Sequence, residues 1–271
     1  MATTLPSTPV FERLRRRAQA WLGNWTRIAE FALLMLTLAL TPATYRRQFR
    51  QRIARQLVLA STVNLAWFCV MAALVSLVLI RIVVATSRSY GLSQYALDLV
   101  VRVLVLELIP LTAALFVALR VTLPDGLEFA QLRALGTFDL MRRQGQDPVR
   151  SEFFPRVLAG LFSVWLLAAV SCVSTLVLAY LVLYGFTPWA LAGYTRVVGQ
   201  VFNPAVTTIL MLKILFFSFA VALVPLAPAY HQYDGRSPNT LPRAAHGLID
   251  MVRLFTLILI VEVASLMGNY Y

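Results

Sequence analysis

The sequence predicts an all-α integral membrane protein, with an N-terminal interfacial amphipathic helix followed by about five transmembrane helices. Hydrophobic residues make up 59% of the 271 residues and charged residues only 13%, whereas soluble globular domains are about 45–50% apolar and about 25% charged. The mean hydropathy is +0.74. Apolar stretches of about 20 residues, the length that crosses a hydrocarbon core, recur along the chain. Lipid is therefore the expected solvent for much of the surface.

The first element is predicted to lie in the membrane interface. Within residues 11–30, apolar side chains recur at three- and four-residue steps and arginines occupy much of the other face, which is typical of an interfacial helix. The apolar stretch 31–40 covers only about half of a hydrocarbon core about 30 Å thick. We assign residues 1–45 to this N-terminal unit and residues 46–271 to a transmembrane unit. A signal peptide ending near Pro42 is disfavoured, because the preceding helix is too long and too regular.

Five segments are long and apolar enough to cross the bilayer. Backbone groups in lipid must satisfy their own hydrogen bonds, which an α-helix does within one segment. The predicted spans are residues 57–80, 97–119, 157–184, 204–228 and 248–267. No internal repeat and no soluble domain is predicted between them.

Arginine placement predicts the orientation. Segment 11–55 holds ten arginines, segment 121–156 holds five and segment 230–247 holds two, while the short loops on the other side hold only Arg88 and Arg196. Because cytoplasmic loops are enriched in basic residues, the N-terminus is predicted to be cytoplasmic and the C-terminus to lie outside. The net charge of +12 then indicates contact with anionic lipid headgroups rather than with nucleic acid.

Motifs of catalytic sites are missing from the sequence. No GxxxxGK[ST] phosphate loop and no HExxH zinc motif occurs, and the only two histidines, His231 and His246, fall in one cytoplasmic loop. Serines in the spans therefore lack an intramembrane histidine partner. Cys69 and Cys172 lie in separate apolar runs and suit neither a disulfide nor a metal site. We expect no catalytic residue, no cofactor and no metal in this chain.

Charged residues within the predicted spans are the candidates for function, since each costs about 2.5–3.5 kcal/mol or more at the bilayer centre. Glu107 and Lys213 lie in the middle of the second and fourth spans, and Glu262 lies in the last span. Two interpretations stand side by side. Glu107 and Lys213 form a buried pair that holds helices together, or they face a polar cavity through which a cargo headgroup passes. No role is assigned to Glu262.

Segment 121–156 is predicted to contain a short amphipathic helix between the second and third spans. Pro124-Asp125 resembles a helix start, and leucines and Phe138 alternate with charged residues after it. Five acidic residues balance five arginines in the segment. Such a helix suits docking onto a soluble partner, and a helix lying flat under the bilayer is the equal alternative.

Short polar and proline-containing motifs are spread over residues 45–245. In chain order they are Arg55-Gln56-Leu57, Glu107-Leu108-Ile109-Pro110, Arg120, Glu128, Arg133, Asp147-Pro148, Pro155-Arg156, Lys213 and Tyr230. Together they resemble the MlaE/YrbE permeases of ABC-type lipid transporters that work with MCE proteins. The pattern of that family has an RQL motif, an E-L-G-P motif, a downstream arginine and glutamate, and then D-P and P-R pairs. The last predicted span matches the family in character only.

The resemblance implies a permease core in the bacterial inner membrane, made of two copies of the chain. A cytoplasmic ATPase would bind each copy and an MCE protein would sit on the periplasmic face. The cargo would be phospholipid or another hydrophobic molecule moved between the inner and outer membranes. Glu107, Arg120 and Lys213 would belong to the lipid pocket or its gate. The coupling helix received by the ATPase would contain Glu128, Leu132, Arg133, Leu135 and Phe138.

The sequence departs from the family pattern at three positions. Ile109 replaces the glycine of the E-L-G-P motif, which removes a close-packing position. Gly136 and Arg142 stand where acidic residues are usual in the coupling helix, so the docking of the ATPase is expected to differ. A heterodimer, and a membrane scaffold that does not transport, are the alternatives to a homodimeric transporter. An intramembrane lipid-modifying enzyme is disfavoured by the missing catalytic residues.

Overall fold

Long apolar helices form the fold, which a computed structural model describes for residues 9–42, 47–233 and 243–270. Among these residues, five helices are long and apolar enough to cross a membrane, and no strand occurs. In chain order these spans 1 to 5 are Phe49–Ser89, Ala96–Ala134, Val149–Tyr184, Pro204–His231 and Leu248–Asn269. The predicted fold class and the number of spans are confirmed.

Several spans contain more than one helix. The helices are α1 Pro9–Leu40, α2 Arg47–Ser89, α3 Ala96–Val100, α4 Ile109–Val117, α5 Leu123–Ala134, α6 Thr137–Arg143, α7 Phe154–Tyr184, α8 Leu191–Val201, α9 Pro204–Leu223, α10 Ala227–Tyr233 and α11 Arg243–Tyr270. Two π-helical joints, Val101–Leu108 and Ala118–Thr122, connect α3, α4 and α5 into span 2. Its 39 residues measure about 58 Å, nearly twice a hydrocarbon core of about 30 Å. Span 2 therefore continues beyond the bilayer.

The N-terminal helix is longer than predicted. α1 runs without a break from Pro9 to Leu40, so the apolar stretch 31–40 continues the helix predicted for residues 11–30. Phe31 of α1 is buried in a cluster with residues of α5, α6 and α7, and α1 therefore packs against the bundle. The structure describes only the backbone of α1 before residue 23, so the arginine side chains there lie outside the described part of the chain, as does the predicted boundary at 45–46. The interfacial position of α1 therefore stays a prediction.

Small and hydroxyl-bearing residues let spans 1 and 3 pack along their length. The Oγ atoms of Ser61 and Ser163 lie 3.3 Å apart, and Ser76 Oγ lies 2.9 Å from Thr175 Oγ1. Hydrogen bonds between hydroxyl groups are a common way to hold helices together in lipid, where apolar burial alone gives little preference for a neighbour. α7 also packs on α4 and α9, and α9 packs on α11. The order of contacts places span 4 between spans 3 and 5.

Two glycines permit close contacts on the side of the bundle that carries α5 and α6, named here the α5 side. A Cβ atom at Gly126 of α5 would lie 2.8 Å from the carbonyl oxygen of Pro225, which follows α9. A Cβ atom added at Gly160 of α7 would lie 3.0 Å from Thr122 Cγ2. Both distances are shorter than side chains tolerate without movement. The two glycines therefore allow the end of span 2 to pack closely against spans 3 and 4.

The predicted coupling helix is bent into a corner. α5 ends at Ala134 and α6 begins at Thr137. Gly136 lies between them with φ +68°, a left-handed conformation that glycine adopts without the steric cost of a Cβ atom. The single helix predicted over residues 128–138 is therefore two helices, and residues 133–143 are named the α5–α6 corner.

On the opposite side, named the α8 side, α8 leads into span 4. The hydroxyl group of Tyr194 in α8 donates to the Leu176 carbonyl of α7 at 2.8 Å. α9 begins at Pro204, and the side chain of Asn203 accepts a hydrogen bond from the Val206 backbone N–H at 2.8 Å, a favourable N-cap with proline in the first helical turn. This start places Lys213 near the middle of α9.

Candidate functional site

Four polar side chains from three spans meet inside the bundle, and they are named the polar cluster. Lys213 of α9 pairs with Glu107 of span 2 through a hydrogen bond. Glu262 of α11 also pairs with Lys213, with its Oε2 atom 2.8 Å from Nζ and off the direction of a hydrogen bond. Asn269 Nδ2 donates to Glu107 Oε1 at 3.0 Å. Spans 2, 4 and 5 are therefore joined by polar contacts.

Pro110 explains how the backbone of span 2 contributes an acceptor to the polar cluster. Proline has no N–H and cannot donate to the carbonyl group one helical turn earlier. The Leu106 carbonyl, four residues before Pro110, accepts a hydrogen bond from Lys213 Nζ at 3.3 Å. The adjacent carbonyl of Val105 accepts from Cys172 Sγ at 3.7 Å. Both carbonyls lie in the π-helical joint between α3 and α4, an irregularity found often at functional sites.

The charges of the polar cluster are buried and unequal in number. Lys213, Glu107 and Glu262 are all buried, and Lys213 supplies the one positive charge against two carboxylates. Removing one partner of a buried ion pair costs about 3–5 kcal/mol, because an uncompensated charge is left behind. The Phe217 ring, with its centroid 5.8 Å from Nζ, adds only a weak cation–π contact. The cluster therefore depends on Lys213.

The last span joins the cluster through one face of α11. Glu262 and Asn269 are seven residues apart, which is about two helical turns, so their side chains lie on the same face. The same face buries Leu254 and Ile258 closer to the α5 side. The inner surface of α11 is thus apolar over its first part and polar over its last part.

The three residues predicted for a lipid pocket do not all lie together. The structure pairs Glu107 with Lys213. Arg120 is exposed in the joint between α4 and α5, 13 residues from Glu107 along span 2, which is about 20 Å of helix. Glu262 could be identified from the sequence as a charged residue within a predicted span. Asn269 is uncharged, and only its position seven residues after Glu262 could have indicated that it belongs to the same site.

A second charged group lies on the α5 side, around Arg156 at the start of α7. Its guanidinium donates to both carboxylate oxygens of Glu128, at 2.9 and 3.0 Å, the bidentate geometry of the stronger arginine–carboxylate pairs. Asp125 and Glu152 lie 3.4 and 3.7 Å away. The Arg156 Cζ atom lies 4.5 Å from the centroid of the Phe129 ring, within cation–π range. Arg156 therefore fixes α5 to the start of α7.

Aromatic rings fill the space beside this charged group. The rings of Phe129 and Phe153 stack with their centroids 4.1 Å apart. Phe138 of α6 lies 5.8 Å from Phe153 and 5.3 Å from Tyr233 of α10. The Arg142 guanidinium lies over Tyr233, 4.8 Å from the ring centroid. The α5–α6 corner is thus attached to α7 and α10 by stacked rings.

The five residues predicted for ATPase coupling separate into two groups. Phe138 is only 3% exposed, and Glu128 is held by the ion pairs just described. Leu135 is 76% exposed at the tip of the corner, Arg133 is exposed and Leu132 is half-buried. Phe138 and Glu128 therefore anchor the corner, although the Glu128 side chain remains about half exposed; the other three face outward in whole or in part.

A comparison with protein families adds an independent finding. The family model described as permease MlaE matches residues 53–267, which include most of the five spans, the α5–α6 corner and every charge of the polar cluster. The chain belongs to the MlaE permease family. This match extends past residues 45–245, where the motifs lie, and takes in the last span. MlaE permeases are membrane subunits of ABC-type lipid transporters and are not themselves enzymes. No curated protein matches the chain.

Proposed function

We propose that this MlaE permease is the membrane subunit of an ATP-driven transporter that moves phospholipid or another hydrophobic molecule between the inner and outer membranes of a bacterium. The observation that carries the proposal is the polar cluster, an ion-paired site buried among three spans of a chain from a lipid-permease family. Charged groups inside membrane-spanning helices are costly and commonly mark the path of a transported molecule.

The arginine distribution supports one orientation for this transporter. The arginine-rich α5 side faces the cytoplasm, and the α8 side faces the periplasm, by the bias of basic residues toward cytoplasmic loops. A hydrogen-bond contact between His231 Nε2 and the Arg27 carbonyl, at 2.9 Å, keeps α1 on the same side as α10. The N-terminus is then cytoplasmic, the C-terminus is periplasmic, and a periplasmic MCE protein meets the α8 side.

Glu107 and Lys213 form part of the lipid pocket or its gate in this proposal. They attach α11 to spans 2 and 4 through Glu262 and Asn269. Separation of α11 from its neighbours requires these contacts to be replaced by contacts with water or a lipid headgroup, because bare charges are unstable there. Arg120, exposed about 20 Å of helix nearer the α5 side, would meet headgroups at the cytoplasmic end of the path.

The ATPase docks on the outward face of the α5–α6 corner, through Leu135 and Arg133 with Leu132 beside them. Glu128 and Phe138 have a positioning role, because the first is held by Arg156 and the second is enclosed by aromatic rings. A corner that is anchored in this way moves together with the start of α7. Movement of the ATPase therefore reaches span 3 as well as span 2.

Purification of the tagged chain from its native membrane in mild detergent, with mass spectrometry of the co-purifying proteins, tests the proposal. A cytoplasmic ATPase and an MCE protein in stoichiometric amounts, with two copies of the permease, would support it. A chain that purifies alone or with unrelated membrane proteins would contradict it and favour a scaffold that does not transport.

Two substitutions test whether the polar cluster serves transport or only stability. Glu107→Ala and Lys213→Ala proteins that accumulate in the membrane and bind the ATPase, yet move no lipid, would place the cluster in the lipid path. Variants that fail to accumulate would favour a structural pair. Asp98→Ala is the matched control, because it removes a carboxylate of span 2 that pairs with Arg102 outside the cluster.

A further inference from the structure

The polar cluster presents carboxylates, rather than its lysine, to an approaching molecule. The side chains of Glu107 and Glu262 each keep 12% of their surface accessible, whereas the side chain of Lys213 keeps 1%. Two carboxylates share this one ammonium group, so the formal charge of the three groups when ionised is negative. A headgroup that reaches the cluster therefore meets acceptors and negative charge first. A headgroup whose only charge is an anionic phosphate would be repelled at this surface, and a headgroup that presents a cationic group to it would be attracted.

Hydrogen-bond acceptors remain without donors on the same face of α11. Asn269 uses its Nδ2 group on Glu107, and its Oδ1 atom has no hydrogen-bond partner within the described parts of the chain. The hydroxyl of Ser265 likewise has no hydrogen-bond partner there, and this residue is 93% buried because only 7% of its surface is exposed. Glu262 Oε2 has only its ion pair with Lys213, at 2.8 Å. Ser265 follows Glu262 by three residues and precedes Asn269 by four, so all three side chains point to one face. Unpaired buried acceptors are costly and call for a donor.

The cluster lies at a depth that a lipid headgroup reaches during transfer rather than at rest. Glu107, Lys213 and Glu262 are about 10–16 Å of helix from the ends of their spans on the α8 side. In a hydrocarbon core of about 30 Å this is close to the middle and toward the α8 side. Water is scarce at this depth, so a donor on the transported molecule has few competitors.

We propose that this acid-rich face binds the primary ammonium group of an aminophospholipid headgroup, of the phosphatidylethanolamine type. An ammonium group carries three N–H donors, a positive charge and no acceptor, which matches the unpaired acceptors and the negative charge of the face. Asn269 and Ser265 supply the unpaired acceptors, and Glu262 supplies the negative charge beside them, since it shares the one ammonium group of Lys213 with Glu107. The inference rests on the proposed function, because it assigns the headgroup class of the transported lipid.

A lipid competition experiment tests the assignment on the full chain. The protein, purified with its partner subunits, is equilibrated with vesicles that contain equal amounts of phosphatidylethanolamine, phosphatidylglycerol and phosphatidylcholine with the same acyl chains. The retained lipids are then extracted and measured by mass spectrometry. We expect phosphatidylethanolamine to be enriched over the other two by about tenfold or more, the factor that one charge-assisted hydrogen bond provides.

Substitutions show whether the enrichment comes from this face. Glu262→Gln should lower the enrichment by about tenfold, while Asp98→Asn, which removes a carboxylate of span 2 outside the cluster, should leave it unchanged. Ser265→Ala keeps all the charges, so it provides a second test if Glu262→Gln fails to fold. It should lower the enrichment by about two- to tenfold, the effect of losing a neutral hydrogen bond.

The outcomes separate the inference from the proposed function. Equal retention of the three lipids would overturn the ammonium assignment and leave lipid transport standing. Equal retention of phosphatidylcholine and phosphatidylethanolamine would also overturn it, because choline has a positive charge without N–H donors. Enrichment that survives in both Glu262→Gln and Ser265→Ala would overturn the assignment to this face. A protein that retains no lipid would contradict the proposed function itself.

Discussion

Replacement of Lys213 by methionine measures how far the polar cluster depends on its one cation. Nζ contacts both Glu107 and Glu262 and donates to the Leu106 carbonyl. Methionine is also long and unbranched, so Lys213→Met leaves little cavity and mainly removes the charge. Two buried carboxylates then face each other without a cation. We expect the variant to fold with a large loss of stability.

The size of the loss follows from burial. Removal of one partner of a buried ion pair costs about 3–5 kcal/mol of unfolding free energy. For a domain of 150–250 residues each kcal/mol corresponds to roughly 2–4 °C, so Tm should fall by about 6–20 °C. Thermal unfolding in detergent, followed by the loss of the folded peak in size-exclusion chromatography, measures this change. Arg102→Met is the matched control, since its ion pair with Asp98 is partly exposed and such pairs contribute about 0–1 kcal/mol.

A triple variant separates charge from shape. Addition of Glu107→Gln and Glu262→Gln to Lys213→Met removes all three charges and leaves no uncompensated ion in the bundle. Replacement of a whole buried ion pair is often close to neutral, so most of the lost stability should return, while lipid transport stays lost. A Lys213→Met protein that melts like the wild type would refute the reasoning. A triple variant that melts as low as the single variant would refute its electrostatic cause.

Three further predictions concern the α5 side. Gly126→Ala should lower the free energy of unfolding by about 1–3 kcal/mol, because the added Cβ atom would meet a carbonyl oxygen at 2.8 Å. Gly193 is a helical glycine with open space around it, so Gly193→Ala should be neutral or stabilising. Arg156→Lys should lower Tm and weaken the coupling of ATP hydrolysis to lipid transport, because an ammonium group cannot make the bidentate contact. Phe138→Ala should lower the free energy of unfolding by about 3–5 kcal/mol. Leu135→Ala, at an exposed position, should change the free energy of unfolding by no more than about 0.5 kcal/mol. It should instead reduce the amount of ATPase that co-purifies.

Each of these predictions has a result that contradicts it. For the glycines it is equal thermal stability of the two alanine variants. For Arg156→Lys it is wild-type coupling at wild-type Tm, with ATPase activity and lipid transport measured on the same reconstituted sample. For the α5–α6 corner, the contradicting result is full co-purification of the ATPase with the Leu135→Ala protein, or a Phe138→Ala protein that melts like the wild type.

The spans could be predicted from the sequence, and Glu107 and Lys213 could be identified as candidates, because each depends on local composition; the sequence leaves open whether they pair or face a cavity. A run of about 20 apolar residues has few alternatives to a membrane helix. A charge such as Glu107 or Lys213 within such a run needs a partner, and each was the most central charge of its span. The start of α9 at Pro204 likewise involves a residue with a strong local preference. The break at Gly136 was not predicted, although glycine readily adopts the left-handed conformation found there.

The rest depends on which segments meet in space, and local patterns do not carry that information. Leu135 and Phe138 belong to the same apolar pattern, yet one is exposed and the other is enclosed by rings. An amphipathic pattern shows that a face is apolar, but it does not show whether that face meets its own chain or a partner. Asn269 joins Glu107 across 162 positions of sequence, a contact that only the packing of α11 determines.

Span 2 contributes Glu107 to the polar cluster and leads through α4 and α5 into the α5–α6 corner. Glu107 and Glu128 are 21 residues apart along it, which is about 31 Å. Each is held by a cation from a different neighbour, Lys213 from span 4 and Arg156 from span 3. Loss of either ion pair removes one of these two charged attachments, while the packing of α4 on α7 and α9 remains. The variants at Lys213 and Arg156 therefore test two attachments of the same span. The first lies in the proposed lipid path and the second lies beside the proposed ATPase docking site.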